Sequence, residues 1–328
     1  MKNVLKVTFA YIAAVVGAGF ASGSEAVLYF VRYGKVSFWG VLLTGLGLGF
    51  FSYVILSSCK KYNTYSFDEL TEIMCGKKAS KIITTFLYTF MLIMLAAMIS
   101  GFAEMMFETF TVSKVVTSAA FSCLCFFILL MPGEKIIKWG GVSGGFIVVF
   151  ICLCCVYMIN FRCRNVFSNF GNSLTSAVFY TSYNFFAVCP LLCSAAKELK
   201  SEMECIRVGV LSFIFSFCAL FLIWCLIMIY YNKISLGTMP MLTLAGRQGT
   251  WFSLIYSLVI FVSVLSSAIA NAYGILLKFE SKRKINCLFI ILAGWVLSSF
   301  GFTTIVGKMY WSVGVVSSLF PLIIFIKK

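Results

Sequence analysis

The chain is 328 residues long, 61% hydrophobic and only 11% charged, with a mean hydropathy of +1.01. That balance excludes an ordinary soluble domain and makes a lipid bilayer the first partner. A net charge of +15 would suit nucleic acid if it were clustered. It is spread over the ends of apolar runs instead, so no nucleic-acid partner is needed to explain it.

Apolar runs of about 20 residues, the length that spans hydrocarbon, recur ten times. They cover roughly 5–31, 36–58, 82–107, 114–131, 141–160, 171–195, 206–231, 250–278, 285–304 and 309–326. The first is too long and too interrupted for a signal peptide and is expected to stay as a span. It carries "VVGAGFASGSE", Val15 to Glu25. Gly17, Gly19 and Gly23 predict a break that leaves two half-helices, each long enough to cross about half the hydrocarbon core. Unwinding frees backbone groups that lipid cannot satisfy unless they line a cavity or hold a ligand. The freed N–H groups at a half-helix start suit a carboxylate, and the carbonyls that end the preceding half suit a cation. Gly19 and Gly23 also form a Gly-x-x-x-Gly pair of the kind that packs membrane helices. The neighbouring Glu25 favours the ligand reading, in which a substrate approaches the Gly19 backbone.

Between the second and third runs, Ser66-Phe-Asp-Glu69 fits a capping box and Gly76 a helix stop, which predicts a short surface helix. Met131 to Lys135, "MPGEK", predicts a turn. The sixth run places Ser182, Tyr183 and Asn184 at mid-depth with Pro190 beyond, and is expected to be the second broken span. Ile234 to Gly249, interrupted by Gly237 and Pro240, reads as a re-entrant or surface-lying hairpin. Ten spans divide into five and five. Because five is odd, the second half must enter from the opposite side, as an inverted repeat of residues 1–165 and 166–328. Interrupted segments at matching positions of two halves point to a transporter's binding site. With both termini cytoplasmic, eighteen of the 26 lysines and arginines fall on the inner side and eight on the outer, which fits the positive-inside rule in a cytoplasmic membrane.

The residue inventory removes most chemistry. There is no histidine, so neither a serine–histidine pair nor a His-Glu-x-x-His zinc site can form. Most of the fourteen cysteines lie within spans as small hydrophobes; only Cys163 falls clearly in an outer loop. Asp68 is the sole aspartate, which rules out an aspartate dyad, and no Walker A loop occurs. No enzyme and no cofactor are expected. Glu25 and Glu104 are membrane-embedded acids, costly unless used. No filter motif marks a channel.

Four stretches, "VGAGFASGSE", "YTSYN", Pro240 to Leu242 "PML" and Ser298 to Phe302 "SSFGF", resemble the bacterial YkvI-type family of amino-acid-permease-like proteins. The layout is more distantly similar to the amino acid–polyamine–organocation superfamily, including the neurotransmitter:sodium symporters. The resemblance implies an all-α, ten-helix, LeuT-type fold with helices 1 and 6 broken. It implies a small-molecule substrate, an amino acid or related zwitterion, held at Gly17, Ala18, Gly19, Ser22 and Gly23 and by Tyr180, Ser182, Tyr183 and Asn184. It further implies a Na⁺ site made by the carbonyls of Ala13, Val16 and Ser263 and the hydroxyls of Ser266 and Ser267. The competing reading of those serines is that they bond back to their own helix. Some proton-coupled relatives place a lysine on span five, and its absence here favours Na⁺ over H⁺. Glu25, Glu104 and Asn271 are coupling or gating candidates. The expected activity is Na⁺-coupled symport by alternating access. Proton coupling through Glu25, and a ligand sensor that does not transport, are the alternatives.

Overall fold

A computed structural model describes residues 1–158, 170–231, 237–279 and 283–318. The 165/166 boundary, Cys163 and the end of the tenth run lie outside the described residues, as does the start of the Ile234–Gly249 segment. Among the described residues all regular structure is helical.

The first apolar run is broken twice. Helix α1 (Lys2–Val15) stops at Val16 and Gly17, α2 (Ala18–Ala21) makes a single turn, and α3 (Ser24–Tyr29) follows Gly23. Gly23 takes a φ of +78°, left-handed backbone that glycine adopts without steric cost. A short 3₁₀ turn, Val31–Tyr33, leads out. Next come α4 (Ser37–Tyr62), α5 (Phe67–Cys75), α6 (Lys77–Phe110), α7 (Lys114–Leu129) and α8 (Gly133–Met158). The second half holds α9 (Phe170–Ala195), α10 (Glu202–Tyr230), α11 (Pro240–Gly246), α12 (Thr250–Leu276) and α13 (Arg283–Ser298). It ends with α14 (Phe302–Thr304), a π turn Ile305–Met309, and α15 (Tyr310–Ser317).

Helices α4, α6, α8, α9, α10 and α12 are each long and apolar enough to cross a membrane, so the protein is a multi-pass membrane protein. Helix α7 is apolar but has only 16 residues. The run from Phe302 to Ser317 continues α13 at a bend of 93°, turned at Gly301 with φ +82°.

Two expectations are corrected. The sixth run is not broken: α9 is continuous through Ser182, Tyr183, Asn184 and Pro190. Two of its polar side chains bond back to the preceding turn, Thr181 Oγ1 donating to the Ala177 carbonyl at 2.8 Å and Asn184 Nδ2 to the Tyr180 carbonyl at 3.0 Å. No glycine lies between Ser182 and Pro190 to release the backbone. The capping helix α5 forms between Ser66 and Gly76, but its Ser66 side chain makes no cap bond; Glu69 instead accepts from Thr64 Oγ1 at 2.6 Å. In the Ile234–Gly249 segment the described residues hold the short helix α11, with Pro240 in its first turn, where a missing N–H costs nothing.

Packing follows small residues. Helix α4 lies along α10 and α9, and α1 along α8. A Cβ at Gly49 would sit 2.6 Å from the Gly209 carbonyl oxygen, and one at Gly144 would collide with the Phe9 carbonyl. Without a hydrophobic driving force between helices in lipid, this close approach supplies the contact. Gly144→Ala is therefore expected to cost about 1–3 kcal/mol through forced backbone shifts. Gly307, around which a Cβ meets nothing within 4 Å, should accept alanine without loss. Thermal unfolding in detergent compares the two, and equal midpoints would refute the α1–α8 packing.

Candidate functional site

The break in the first run lies at the centre of the bundle, with Ala13 to Ala21 all buried. On its α1 side, Ser267 Oγ of α12 reaches the carbonyls of Ala13 at 3.0 Å and Ala14 at 2.9 Å. Three hard oxygens thus converge where α1 ends, and the Ser263 carbonyl lies one turn away on α12. The hydroxyls of Ser263 and Ser266 turn elsewhere, donating to the carbonyls of Val259 and Val262 at 2.8 and 2.7 Å. Asn271 Nδ2 donates to the Ser267 carbonyl at 2.8 Å, in the next turn. A cavity of about 20 Å³ lined by Ala13 and Ser266 adjoins this cluster; it is the size of one water molecule.

Above the break the freed groups are claimed from several sides. The Ala18 N–H, a predicted carboxylate donor, points at Met98 Sδ at 3.3 Å. The Gly19 carbonyl accepts from the hydroxyls of Ser22 and Ser24, both at 3.3 Å. Tyr256 of α12 donates to the Ala21 carbonyl at 2.8 Å, and the Met241 N–H of α11 to the Ser22 carbonyl at 2.8 Å. Met98 also closes on Gly17, where a Cβ would lie 2.9 Å from its Sδ.

The Glu25 side chain folds back over Gly19, and a Cβ there would collide with the carboxylate. Glu25 is only 3% exposed, its Oε2 closes no hydrogen bond, and it forms no ion pair among the described residues. The hydroxyls of Tyr180 and Tyr183 lie beside its carboxylate. These two share a face of α9, three residues apart; Ser182, about 200° round from Tyr180, does not. Tyr29 of α3 and Tyr310 of α15 complete the surround, with ring centroids 5.1 Å from Tyr29 to Tyr180 and 5.0 Å from Tyr183 to Tyr310.

Glu104 lies apart from this cluster. It pairs with Lys114 at 2.6 Å and accepts from Thr238 at 3.4 Å, so its charge is compensated. The N-terminal end of α1 is tied to the 3₁₀ turn Ala196–Glu198 that follows α9, by Lys6 with Glu198 at 2.8 Å and by Asn3 Nδ2 donating to the Glu198 carbonyl at 2.9 Å. Nearby, a polar cavity of about 530 Å³ is lined by Asp68, Glu69, Tyr88, Lys197 and Lys278 among others. Tyr29, Met98, Tyr256 and Tyr310 were not foreseen as site residues. Only Tyr29 had a local signal, four residues from Glu25 and so on the same helical face.

No protein-family model matches the chain. It is 26% identical over 330 residues to the uncharacterized membrane protein YkvI of Bacillus subtilis (strain 168), covering 96% of this chain and 93% of that one. Its fold is similar to that of a Na⁺-coupled sialic acid symporter in a substrate-bound outward-open state, with TM-score 0.70, 16% identity, and coverage of 99% of this chain and 79% of the symporter. It is also similar to MhsT in complex with L-phenylalanine, with TM-score 0.71, 12% identity, and coverage of 96% and 87%. The shared fold is of the LeuT type.

The Gly19–Glu25 contact predicts non-additive mutations. Gly19→Ala alone should destabilise the protein by about 1–3 kcal/mol. In a Glu25→Ala background, where the obstructing side chain is gone, most of that cost should disappear. Unfolding of the four proteins in detergent gives the coupling, and additive effects would mean that something else occupies the space over Gly19.

Proposed function

We propose that the protein is a secondary active transporter of the cytoplasmic membrane that moves a small amino acid or related zwitterion together with Na⁺ by alternating access. The observation that carries this reading is the mid-bundle break at Val16 and Gly17, in a fold shared with a Na⁺-coupled symporter. Irregular backbone at membrane depth is tolerated only where protein or a cavity satisfies it, and in transporters such discontinuities form the substrate and ion sites. The oxygens of Ala13, Ala14 and Ser267 are of the hard type that Na⁺ prefers, and they would contribute to its shell. The carbonyl of Val16 would join them, and a contribution from Ser266 would require its hydroxyl to leave the Val262 carbonyl.

The ten-helix, five-plus-five reading, with repeats 1–165 and 166–328, is supported by the symmetry of the packing. Take the first-run segment, α4, α6, α7 and α8 as one set, and α9, α10, α12, α13 and α15 as the other. Exchanging the sets maps the α1–α8 contact onto α9–α15, α4–α9 onto α10–α1, α6–α7 onto α12–α13, and α6–α13 onto α12–α7. The α4–α10 and α6–α12 contacts map onto themselves. A two-fold relation between halves gives that pattern. The break in α1 to α3 without one in α9 departs from it, as do the α8–α12 and α8–α10 contacts, which α15 does not match among the described residues. Cytoplasmic termini follow from the lysine and arginine distribution.

Proteoliposomes containing the purified protein, assayed with labelled amino acids, test the function. An inward Na⁺ gradient should drive accumulation. Ser267→Ala should raise the half-saturating Na⁺ concentration at least about tenfold, equivalent to about 1.4 kcal/mol, with transport retained at high Na⁺. Ligand binding without accumulation would make the protein a sensor, and accumulation driven by a proton gradient alone would remove Na⁺ from the mechanism.

A further inference from the structure

The five side chains Glu25, Tyr29, Tyr180, Tyr183 and Tyr310 form a buried acidic-aromatic cluster drawn from three separate parts of the fold. The four tyrosines are fully buried; the hydroxyls of Tyr29 and Tyr310 and Glu25 Oε2 close no hydrogen bond, and those of Tyr180 and Tyr183 face the Glu25 carboxylate without reaching a closed one. Five of the fourteen such atoms among the described residues thus sit in one place. Native interiors leave few polar groups unpaired, and a concentration of them calls for a specific explanation. Ring centroids 5.4 Å apart between Tyr180 and Tyr183, and 5.7 Å apart between Tyr29 and Tyr183, make the cluster continuous.

A purely structural role for this cluster fails on two points. The hydroxyls of Tyr180 and Tyr183 can satisfy the carboxylate, but those of Tyr29 and Tyr310 remain without partners. Further, no lysine or arginine among the described residues forms an ion pair with Glu25, and an isolated buried carboxylate is expensive in lipid. What the cluster lacks is a compact cation carrying several hydrogen-bond donors. A protonated primary amine supplies both: one positive charge for Glu25 and three N–H groups for the oxygens around it. The electron-rich ring faces add cation–π attraction, the physics of aromatic cages. A quaternary ammonium offers no N–H and would leave the hydroxyls unpaired.

We infer that the Glu25–tyrosine cluster is the ammonium-binding end of the substrate site, and that the substrate is a compound with a free, protonated primary amino group. The inference rests on the transporter reading for the word substrate, but the binding itself does not require transport. It also places recognition in side chains of α3, α9 and α15, whereas the freed amide of Ala18, covered by Met98, is not the anchoring group in this conformation.

Calorimetric titration of the full-length protein in detergent, at fixed NaCl, tests the cluster with propylammonium, propionate and tetramethylammonium as probes. Propylammonium should bind, propionate should not, and tetramethylammonium should bind at least about tenfold more weakly than propylammonium, a difference of about 1.4 kcal/mol. Glu25→Gln should abolish propylammonium binding. Should that variant fail to fold, Tyr310→Phe and Tyr310→Leu provide the second test: phenylalanine keeps the ring face and most of the affinity, and leucine loses at least about tenfold. Propionate binding in place of the amine, or amine binding unchanged in Glu25→Gln, would overturn the inference. So would equal effects of phenylalanine and leucine at Tyr310, or Glu25-dependent stabilisation produced by NaCl alone. Sodium-driven uptake is scored separately. Amine binding without uptake leaves the cluster assigned and removes the transporter, whereas uptake without Glu25-dependent amine binding does the reverse.

Discussion

A helix interrupted inside a membrane must have its freed backbone groups claimed, because lipid supplies no hydrogen-bond partners. Here the claims come from all around the bundle. Ser267 and Tyr256 hold the carbonyls of Ala13, Ala14 and Ala21 from α12, and Met241 holds that of Ser22 from α11. Met98 of α6 covers the Ala18 N–H, and the serines of the break serve the Gly19 carbonyl themselves. Satisfying one short stretch of main chain thus fixes where three other elements sit. The interruption is a junction, held on every side, and the site is built where these elements meet.

Much of the architecture is legible in the sequence, because lipid imposes a length and a composition on anything that spans it. The apolar runs, the break after Val15 and the short helix ended by Gly76 all follow from residue types whose physical effect is local. Boundaries are less legible. Helix α8 begins at Gly133, well before the apolar run at 141. The side chains of Lys135 and Lys138 are long enough to extend beyond the apolar core while their backbone stays helical.

The error at the sixth run has a specific origin. A polar patch within an apolar helix signals either an unwound segment or side chains bonded back to the preceding turn, and both readings use the same residues. In α9, Thr181, Asn184 and Cys189 each reach the carbonyl four residues earlier, so the ladder continues past them. The first run differs because its glycines and the left-handed turn at Gly23 release the main chain itself. The same distinction applies to the site. Glu25 and Tyr29 are near neighbours on one helix and could be paired by spacing. Met98 and Tyr310 arrive from other runs, and nothing in their local sequence marks them. Gly19 shows how little a glycine alone discloses: its space is taken by a carboxylate six residues on.

Helix α6 has 34 residues, about 51 Å of straight rod at 1.5 Å per residue, against about 30 Å of hydrocarbon. It must lean or project well into both aqueous faces. Along it lie Tyr88, which donates to Asp68 at 2.9 Å, then Met98 at the break, then Glu108, which accepts from Thr238 beside α11. Ten residues separate each from the next, so Met98 sits midway, with arms of about 15 Å on either side. Helix α12 lies along this rod, with α7 and α13 beside it, so the polar contacts at its two ends and the cover over the break are joined through one packed helix.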